Sequence, residues 1–339
     1  MSLPSFKNLH PKMLTRRYFL KSSSAILLSP LFSYGQNTID SFPSKPITLI
    51  VPFPAGQSGD ILARALQEFF NKYLQQILII ENKGGAGGTL GSQIAAKATP
   101  DGYTLLLGSS GPTAISPSLY KNVGYNPDTD FAPIINVAGV AQVLTVGIDS
   151  PFQNVTQLIE FAKNNPNKLS YGSGGNGSTA HLTMELFKAK AGIQIQHIPY
   201  KGAALAYPDL IAGRIDAMFD TTPAVLPLYK SGKIRALGVS TTYRSPSLPN
   251  IPTIKEAALK DFELIAWWGI VAPAGIPIPI QEKLNQAFKL ILKEPSIQKK
   301  FDELGMTGLA GTTDEFKRFI HDEYIKFNQI IRSNNITIE

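Results

Sequence analysis

The chain of 339 residues is 43% hydrophobic and 17% charged, a composition typical of a globular protein rather than a disordered or membrane-embedded one. It contains no cysteine, which excludes disulfides, thiolate metal ligands and a catalytic cysteine, and its four histidines lack the His-Glu-x-x-His spacing of zinc enzymes. Residues 1–35 hold five basic and no acidic residues, so the net charge of +7 falls to +2 without them. Because the rest of the chain carries little net charge, we expect no nucleic-acid partner. We also expect no metal and no cofactor.

The N-terminal residues have the organisation of an export signal. Thr15–Lys21 reads TRRYFLK, and the apolar stretch that follows is too short to span a bilayer. The pattern resembles the twin-arginine signal, and the small residues Ser33 and Gly35 fit a cleavage site before Gln36. We therefore predict that residues 1–35 are a signal peptide that is removed, and that the mature protein is periplasmic.

From Lys45 onward strand-like and helix-like segments alternate, which predicts an α/β fold with mostly parallel strands. A long apolar run at residues 131–149, with Gly139 as a bend, is a candidate crossing between two domains, and residues 263–275 are the candidate return. The tail is predicted to be helical, and its last helix shows an apolar face with helical spacing: Phe316, Phe319, Ile320, Tyr324, Phe327 and Ile331.

This order of elements predicts two α/β lobes joined by two crossover strands, with a helical C-terminus. We assign residues 43–142 plus 266–339 to lobe 1 and residues 143–265 to lobe 2. Ligands of such folds bind between the lobes, at the carboxyl ends of the strands.

The segment VPFPAGQSGD lies between a predicted buried strand and a predicted helix at residues 61–74. A glycine-bearing turn that leads into a helix exposes backbone N–H groups and the positive end of the helix dipole, which suits an anion. Ser58 or Asp60 is a candidate cap of this helix, and Arg64 is placed to offset the charge of Asp60 one turn away.

The segment GSGGNG at residues 172–177 matches Gly-x-Gly-x-x-Gly between a strand and a helix. No acidic residue lies between Leu186 and Pro208, so the ribose partner of a dinucleotide site is missing. A serine hydrolase also lacks its signature, because neither Ser110 nor Ser173 completes Gly-x-Ser-x-Gly. His181, early in a helix, and Asp220, at the end of a strand, are better explained by structural roles than by a catalytic triad. Trp267 and Trp268 are expected to pack in the core or between the lobes.

Several linked motifs together resemble the Bug family, the TctC-type extracytoplasmic solute receptors of tripartite tricarboxylate transporters. The resemblance runs from Pro46 to the C-terminus. The motifs, in chain order, are PITLIVPFPAGQSGDILARAL, IIENKGGAGGTLGSQIAAKATPDGYTLLLGS, YGSGGNGSTAHLTMELF, HIPYKGAALAYPDLIAGRIDAMFD, GKIRALGVST, PTIKEA and VAPAGIP.

The resemblance implies a type II-like periplasmic binding protein fold whose two lobes hold an organic carboxylate, mainly through backbone N–H groups of two loops. The family commonly has a second glycine where this chain has Gln57, which adds an amide side chain at the mouth of the site. The ligand-binding residues expected from the matching positions and their neighbours are Phe53, Pro54, Ala55, Gly56, Gln57, Ser58, Ser109, Ser173, Asn176, Gly177, Ser178, Thr179 and Asp220.

The function implied is that of a receptor, not an enzyme. We expect a monomer that captures a small organic carboxylate and delivers it to the large and small membrane subunits of a tripartite tricarboxylate-type transporter. Two alternatives stay open at this point. One is a periplasmic serine hydrolase that uses a serine of the second loop on a small ester or amide, and the other is a sensor subunit that signals to a membrane kinase.

Overall fold

The computed structural model of the chain describes residues 41–337, so the predicted signal peptide at residues 1–35 lies outside the described residues. The described part contains a mixed sheet of ten strands. The strands are β1 (Ile47–Val51), β2 (Leu78–Asn82), β3 (Thr104–Ser109), β4 (Phe131–Gly147), β5 (Ser170–Ser173), β6 (Gln196–Pro199), β7 (Ala217–Thr221), β8 (Ile234–Val239), β9 (Ile265–Pro273) and β10 (Met306–Gly308).

Helices cover the sheet and connect most of its strands. They are α1 (Ser58–Leu74), α2 (Thr89–Ala96), α3 (Ser116–Leu119), α4 (Val155–Asn164), α5 (Thr179–Ala191), α6 (Tyr207–Ile211), α7 (Thr222–Lys230), α8 (Ile254–Ala257), α9 (Ile278–Leu292), α10 (Pro295–Leu304) and α11 (Thr313–Ser333). Short 3₁₀ turns at Ala86–Gly88 and Ala203–Leu205 and a π turn at Gly111–Ile115 complete the regular structure.

The sheet has two regions that share one strand. In the first region, β1 is parallel to β2 and β3, and β9 joins antiparallel to both β3 and the N-terminal part of β4. In the second region, β5 is parallel to β6 and β7, while β7 and β8 are antiparallel to the C-terminal part of β4. The alternation of strands and helices confirms the α/β expectation, but the expectation of mostly parallel strands is wrong, because β4 and β9 pair antiparallel with their neighbours. The lobe boundaries at residues 142 and 265 stay a prediction.

The shared strand β4 changes partners at Gln142. Ala141 is still paired with Ile265 of β9, whereas Gln142 is paired with Thr221 of β7. Buried Ser240 stabilises this point, since its hydroxyl accepts a hydrogen bond from the Gln142 amide at 2.9 Å and its own amide donates to the Gln142 carbonyl at 2.8 Å. Both backbone groups of Gln142 are therefore satisfied where the pairing changes.

The helices bury the apolar faces that their sequences predict. On α11, Phe316, Ile320, Phe327 and Ile331 are buried, and Phe319 and Tyr324 pack beside them, as the helical spacing indicates. Helix α1 packs on α9, where the rings of Phe70 and Phe288 lie 5.7 Å apart. Among residues 41–337, no helix is both long and apolar enough to cross a membrane.

The structure corrects several sequence-based expectations. Helix α1 begins at Ser58 and not at residue 61, so its N-cap is Gln57, which makes no side-chain capping bond. Asp60 instead accepts the Gly56 amide at 2.9 Å. Gly139 is not a bend, because it lies within β4 and pairs with Trp267, whereas the irregularities of the β4 register fall on either side of it.

Several elements, among them α7 and β10, escaped the sequence reading altogether. Helix α7 contains Pro223 in its first turn and Pro227 in its interior, residues that usually mark helix starts and breaks. Strand β10 has only three residues and carries no periodic signal; it exists because it pairs with Ala138–Val140 of β4.

We predict that Gly269→Ala loosens the docking of α11 on β9. A Cβ atom at Gly269 would lie 2.1 Å from the Phe316 ring, which is itself buried, so the helix must shift. Overpacking of this kind costs roughly 1–3 kcal/mol in the free energy of unfolding, measurable by denaturant titration.

Gly139→Ala is the matched control on the neighbouring strand β4, because its nearest new contact is an ordinary 3.5 Å. Equal loss of stability in the two variants would contradict the packing argument.

Candidate functional site

A cavity of about 240 Å³ lies where both regions of the sheet present the loops that follow their strands. Most of the residues predicted from the sequence line it: Phe53, Gly56, Gln57, Ser58, Ser109, Ser178, Thr179 and Asp220. They follow or end β1, β3, β5 and β7, so the cavity lies at carboxyl ends of strands, as expected for open α/β sheets.

Five predicted residues do not line this cavity: Pro54, Ala55, Ser173, Asn176 and Gly177. The Ser173 hydroxyl is fully buried and bonds His197 Nε2 at 2.7 Å, which directs it away from the cavity. The carbonyls of Asn176 and Gly177 accept bonds from Tyr120 at 3.2 Å and Ser116 at 3.3 Å. These two residues therefore connect the two regions of the sheet, and Asn176 borders a different cavity near His181.

Other residues that line the cavity were missed by sequence reasoning. They include Ser110, Gln142, Ala203, Tyr207, Thr221, Ala224, Leu228, Trp267 and Trp268. The two tryptophans are buried, and Trp267 Nε1 donates a hydrogen bond to Glu323 at 3.0 Å. They therefore pack in the core as expected, and they also form part of the cavity wall. For Gln142, inside a long apolar strand, no local pattern signals a cavity.

Three helices begin at this cavity. First-turn residues of α1 (Ser58 and Gly59), of α5 (Thr179 and Ala180) and of α7 (Ala224) line it. Amides in the first turn of a helix have no intrahelical acceptor, and the helix dipole adds partial positive charge there. At the start of α5, the Ser178 side chain caps only the amide of His181, at 3.3 Å.

The cavity has a positive dipolar surface without cationic side chains. Among the described residues that line it there is no lysine or arginine, and Asp220 is the one formally charged side chain. Arg64 is directed elsewhere: it donates to Asp60 at 2.9 Å, as its spacing predicts, and its side chain is 53% exposed. Burial raises the pKa of Asp60, but the hydrogen bonds from Arg64 and from the Gly56 amide outweigh it, so the net pKa is lowered.

Three side-chain atoms at the cavity wall are buried without a hydrogen-bond partner among residues 41–337. They are Gln57 Nε2, Ser109 Oγ and Gln142 Oε1. A buried polar atom without a partner costs roughly 1–3 kcal/mol, so native proteins keep few of them. Their clustering at one cavity indicates a site shaped for a polar molecule.

Hydroxyl pairs join the two regions across the cavity. Ser58 Oγ lies 2.5 Å from Thr221 Oγ1, and Ser110 Oγ lies 2.9 Å from Thr179 Oγ1. Ser58 and Ser110 belong to the first region, and Thr179 and Thr221 to the second. A molecule in the cavity therefore meets groups from both regions at once.

Beneath the second loop lies a buried pair of histidines. The rings of His181 and His197 stack at 4.4 Å, and burial lowers their pKa values to about 4 and about 3, so both are neutral near pH 7. The Gly177 amide donates to His181 Nδ1 at 3.3 Å. Within the described residues no carboxylate bonds His197, so the Ser173–His197 pair lacks the orienting acid of a catalytic triad.

Comparison with known proteins gives a consistent result. Residues 62–336 match the model of the tripartite tricarboxylate transporter family receptor, TctC. Protein BugT of Bordetella pertussis is 34% identical over 301 residues, which cover 88% of this chain and 92% of BugT.

Solved structures extend the likeness to three dimensions. The periplasmic binding protein BugD is 35% identical, with a TM-score of 0.84, and the match covers 88% of this chain and all of BugD. An R. palustris protein solved with adipate is also 35% identical, with a TM-score of 0.84, over 87% of this chain and 99% of that chain. The expected two-lobed α/β fold of periplasmic binding proteins is confirmed.

The pH dependence of stability tests the burial of Asp220. Burial raises the pKa of this carboxyl from 3.8 to about 6, against the hydrogen bonds from Thr221 and Tyr207. Between these values the folded chain binds more protons than the unfolded chain, so the free energy of unfolding falls as the pH rises through this window. We predict that Asp220→Asn gains stability relative to the native chain between pH 4 and pH 7, by on the order of 3 kcal/mol.

Denaturant midpoints at several pH values provide the measurement. Asp261→Asn, which removes one exposed charge, serves as the control and should show no such trend. A stability difference between Asp220→Asn and the native chain that stays flat from pH 4 to pH 7 would contradict the prediction.

Proposed function

Because the chain belongs to the tripartite tricarboxylate transporter receptor (TctC) family of periplasmic solute-binding proteins, we propose that it captures a small organic carboxylate. The carboxylate is held between the two regions of the sheet and delivered to the large and small membrane subunits of a tripartite tricarboxylate-type transporter. The likeness to a protein solved with adipate supports this ligand class. Residues 1–35 act as the export signal that brings the protein to the periplasm.

One observation carries the proposal: three helices begin at a cavity whose described lining contains no cationic side chain. Such a site favours an anion of low charge, since free amides and helix dipoles bind a carboxylate without a lysine or arginine. Binding by amides alone suits a ligand that is held and then released.

Polar atoms of the cavity wall complete the recognition. Ser109 Oγ and Gln57 Nε2 are buried donors without partners in the described residues, and each can donate a hydrogen bond to a carboxylate oxygen. The apolar wall formed by Leu228, Ala266 and Trp268 accommodates the carbon chain. This combination supports a small organic acid more than an inorganic anion.

Closure around the ligand follows from the contacts between the two regions. The Ser58–Thr221 and Ser110–Thr179 hydroxyl pairs hold the two cavity walls together from opposite regions. A ligand that binds both walls stabilises the arrangement in which these pairs form, and that arrangement is the one the membrane subunits recognise. A membrane kinase could recognise the same ligand-bound arrangement in place of a transporter. A transport assay distinguishes the transport function from the sensing function.

The serine-hydrolase alternative gains no support from the site. The Ser173 hydroxyl, which a second-loop nucleophile would need at the cavity, is fully buried and outside the lining. Thr179 and Ser178 line the cavity, but neither has a hydrogen bond to an imidazole nitrogen among the described contacts.

We predict that removing one helix-start amide weakens carboxylate binding without unfolding the protein. Thr179→Pro replaces the first residue of α5, where proline fits because Ser178 is already extended (φ −68°, ψ 156°). Hydrogen bonds to charged groups contribute roughly 1.5–3 kcal/mol, so the Kd of the best acid in a panel should rise about tenfold or more. Titration calorimetry of native and variant proteins against citrate, dicarboxylates, amino acids and aromatic acids measures this effect.

Thr179→Ala is the matched control, because it loses the bond to Ser110 but keeps the amide. The proline variant must bind more weakly than the alanine variant. Equal affinity in the two variants would sink the amide-capture argument, and the absence of binding by every acid to the native protein would overturn the carboxylate assignment.

A further inference from the structure

Asp220 is out of place in a cavity built for an anion. It is the last residue but one of β7, directly before the N-cap of α7, and the residue is only 8% exposed while lining the cavity. Among the described residues no lysine or arginine forms an ion pair with it. A buried carboxylate without a cation is costly, and replacing it by a neutral residue would remove that cost.

The hydrogen bonds that Asp220 accepts come from its own neighbourhood. Its Oδ1 accepts the Thr221 amide at 2.7 Å and, more weakly, the Thr221 hydroxyl at 3.4 Å. Its Oδ2 accepts the Tyr207 hydroxyl at 2.9 Å. A carboxylate has about four acceptor sites, so these donors leave Asp220 with room to accept a further donor from within the cavity.

A second acceptor lies beside it. Gln142 pairs with Thr221, the residue after Asp220, and Gln142 Oε1 is buried without a partner in the described part of the chain. Gln142 is 1% exposed and lines the same cavity. This side of the cavity thus presents an ionisable carboxyl and an unpartnered amide oxygen, whereas the helix starts present N–H donors.

The two sides demand different chemistry from one ligand. A carboxylate suits the amides of the helix starts but is repelled by Asp220 and finds no donor at Gln142 Oε1. A hydroxyl or an ammonium group donates to both acceptors. Resting on the function proposed above, we infer that Asp220 selects carboxylates whose carbon chain also carries a hydrogen-bond donor, and that Gln142 assists it.

Matched acids that differ in one group test this inference. Titration calorimetry at pH 7.5 compares succinate, L-malate and L-aspartate, followed by glutarate, 2-hydroxyglutarate and glutamate, and then adipate and its 2-hydroxy and 2-amino derivatives. In the chain length that binds best, we expect the hydroxy or amino acid to bind at least tenfold more tightly than the plain dicarboxylate. The hydroxy and amino members distinguish a neutral donor from a cationic one.

Variants assign the preference to Asp220. Asp220→Asn keeps an acceptor oxygen but loses the charge, so the preference for the amino acid should fall at least tenfold. Asp261→Asn, an exposed change of the same charge, should behave as the native protein.

The outcomes separate this inference from the function on which it rests. A plain dicarboxylate that binds the native protein as tightly as its hydroxy and amino counterparts overturns the inference alone. An Asp220→Asn variant that keeps the native preference for the amino acid over the plain dicarboxylate within twofold does the same. Lack of binding by every acid overturns the proposed function, and the inference with it.

Discussion

The pairing of β4 is the constraint on which the rest of the structure depends. Almost every residue of this strand is buried, and its two halves belong to different regions of the sheet. The change of partner at Gln142 brings β9 of one region and β7 of the other to the same point, and Ser240 satisfies both backbone groups of Gln142 there. The loops that follow β1, β3, β5 and β7 meet around this point, and the cavity lies between them.

The proposed capture by backbone groups explains why the sequence is informative at this site. A carboxylate held by amides requires tight turns that lead directly into helices, and such turns need glycine and small hydroxyl residues at fixed positions. The two segments VPFPAGQSGD and GSGGNGST meet this requirement, and residues of both line the cavity. A site built from arginine and lysine would instead depend on side chains scattered over the sequence.

The limits of sequence reasoning appear at residues whose role depends on tertiary contacts. Helix α7 was missed because two prolines in nine residues, Pro223 and Pro227, locally disfavour a helix. Packing of the helix against β4, β7 and β8 stabilises it nevertheless. Gln142 resembles any polar residue in a buried strand, and only the change of pairing puts it at the cavity. Ser173 was expected at the cavity from its loop position, but His197, 24 residues away, holds its hydroxyl elsewhere.

Thr221 connects the proposed closure with the proposed selectivity of the site. Its amide bonds Asp220, its hydroxyl lies 2.5 Å from Ser58 of the first region, and it is the N-cap residue of α7. Any motion that separates the two regions breaks the contact between the Ser58 and Thr221 hydroxyls. The Thr221 hydroxyl then has Asp220 as its one remaining partner among these residues, which changes the hydrogen bonding of the Asp220 carboxylate. The charge state of Asp220 and the contact between the regions are therefore not independent. If Asp220 selects the ligand as proposed, a ligand that supplies a donor to Asp220 stabilises the carboxylate and the joined arrangement together, while a ligand with a second carboxylate there opposes both.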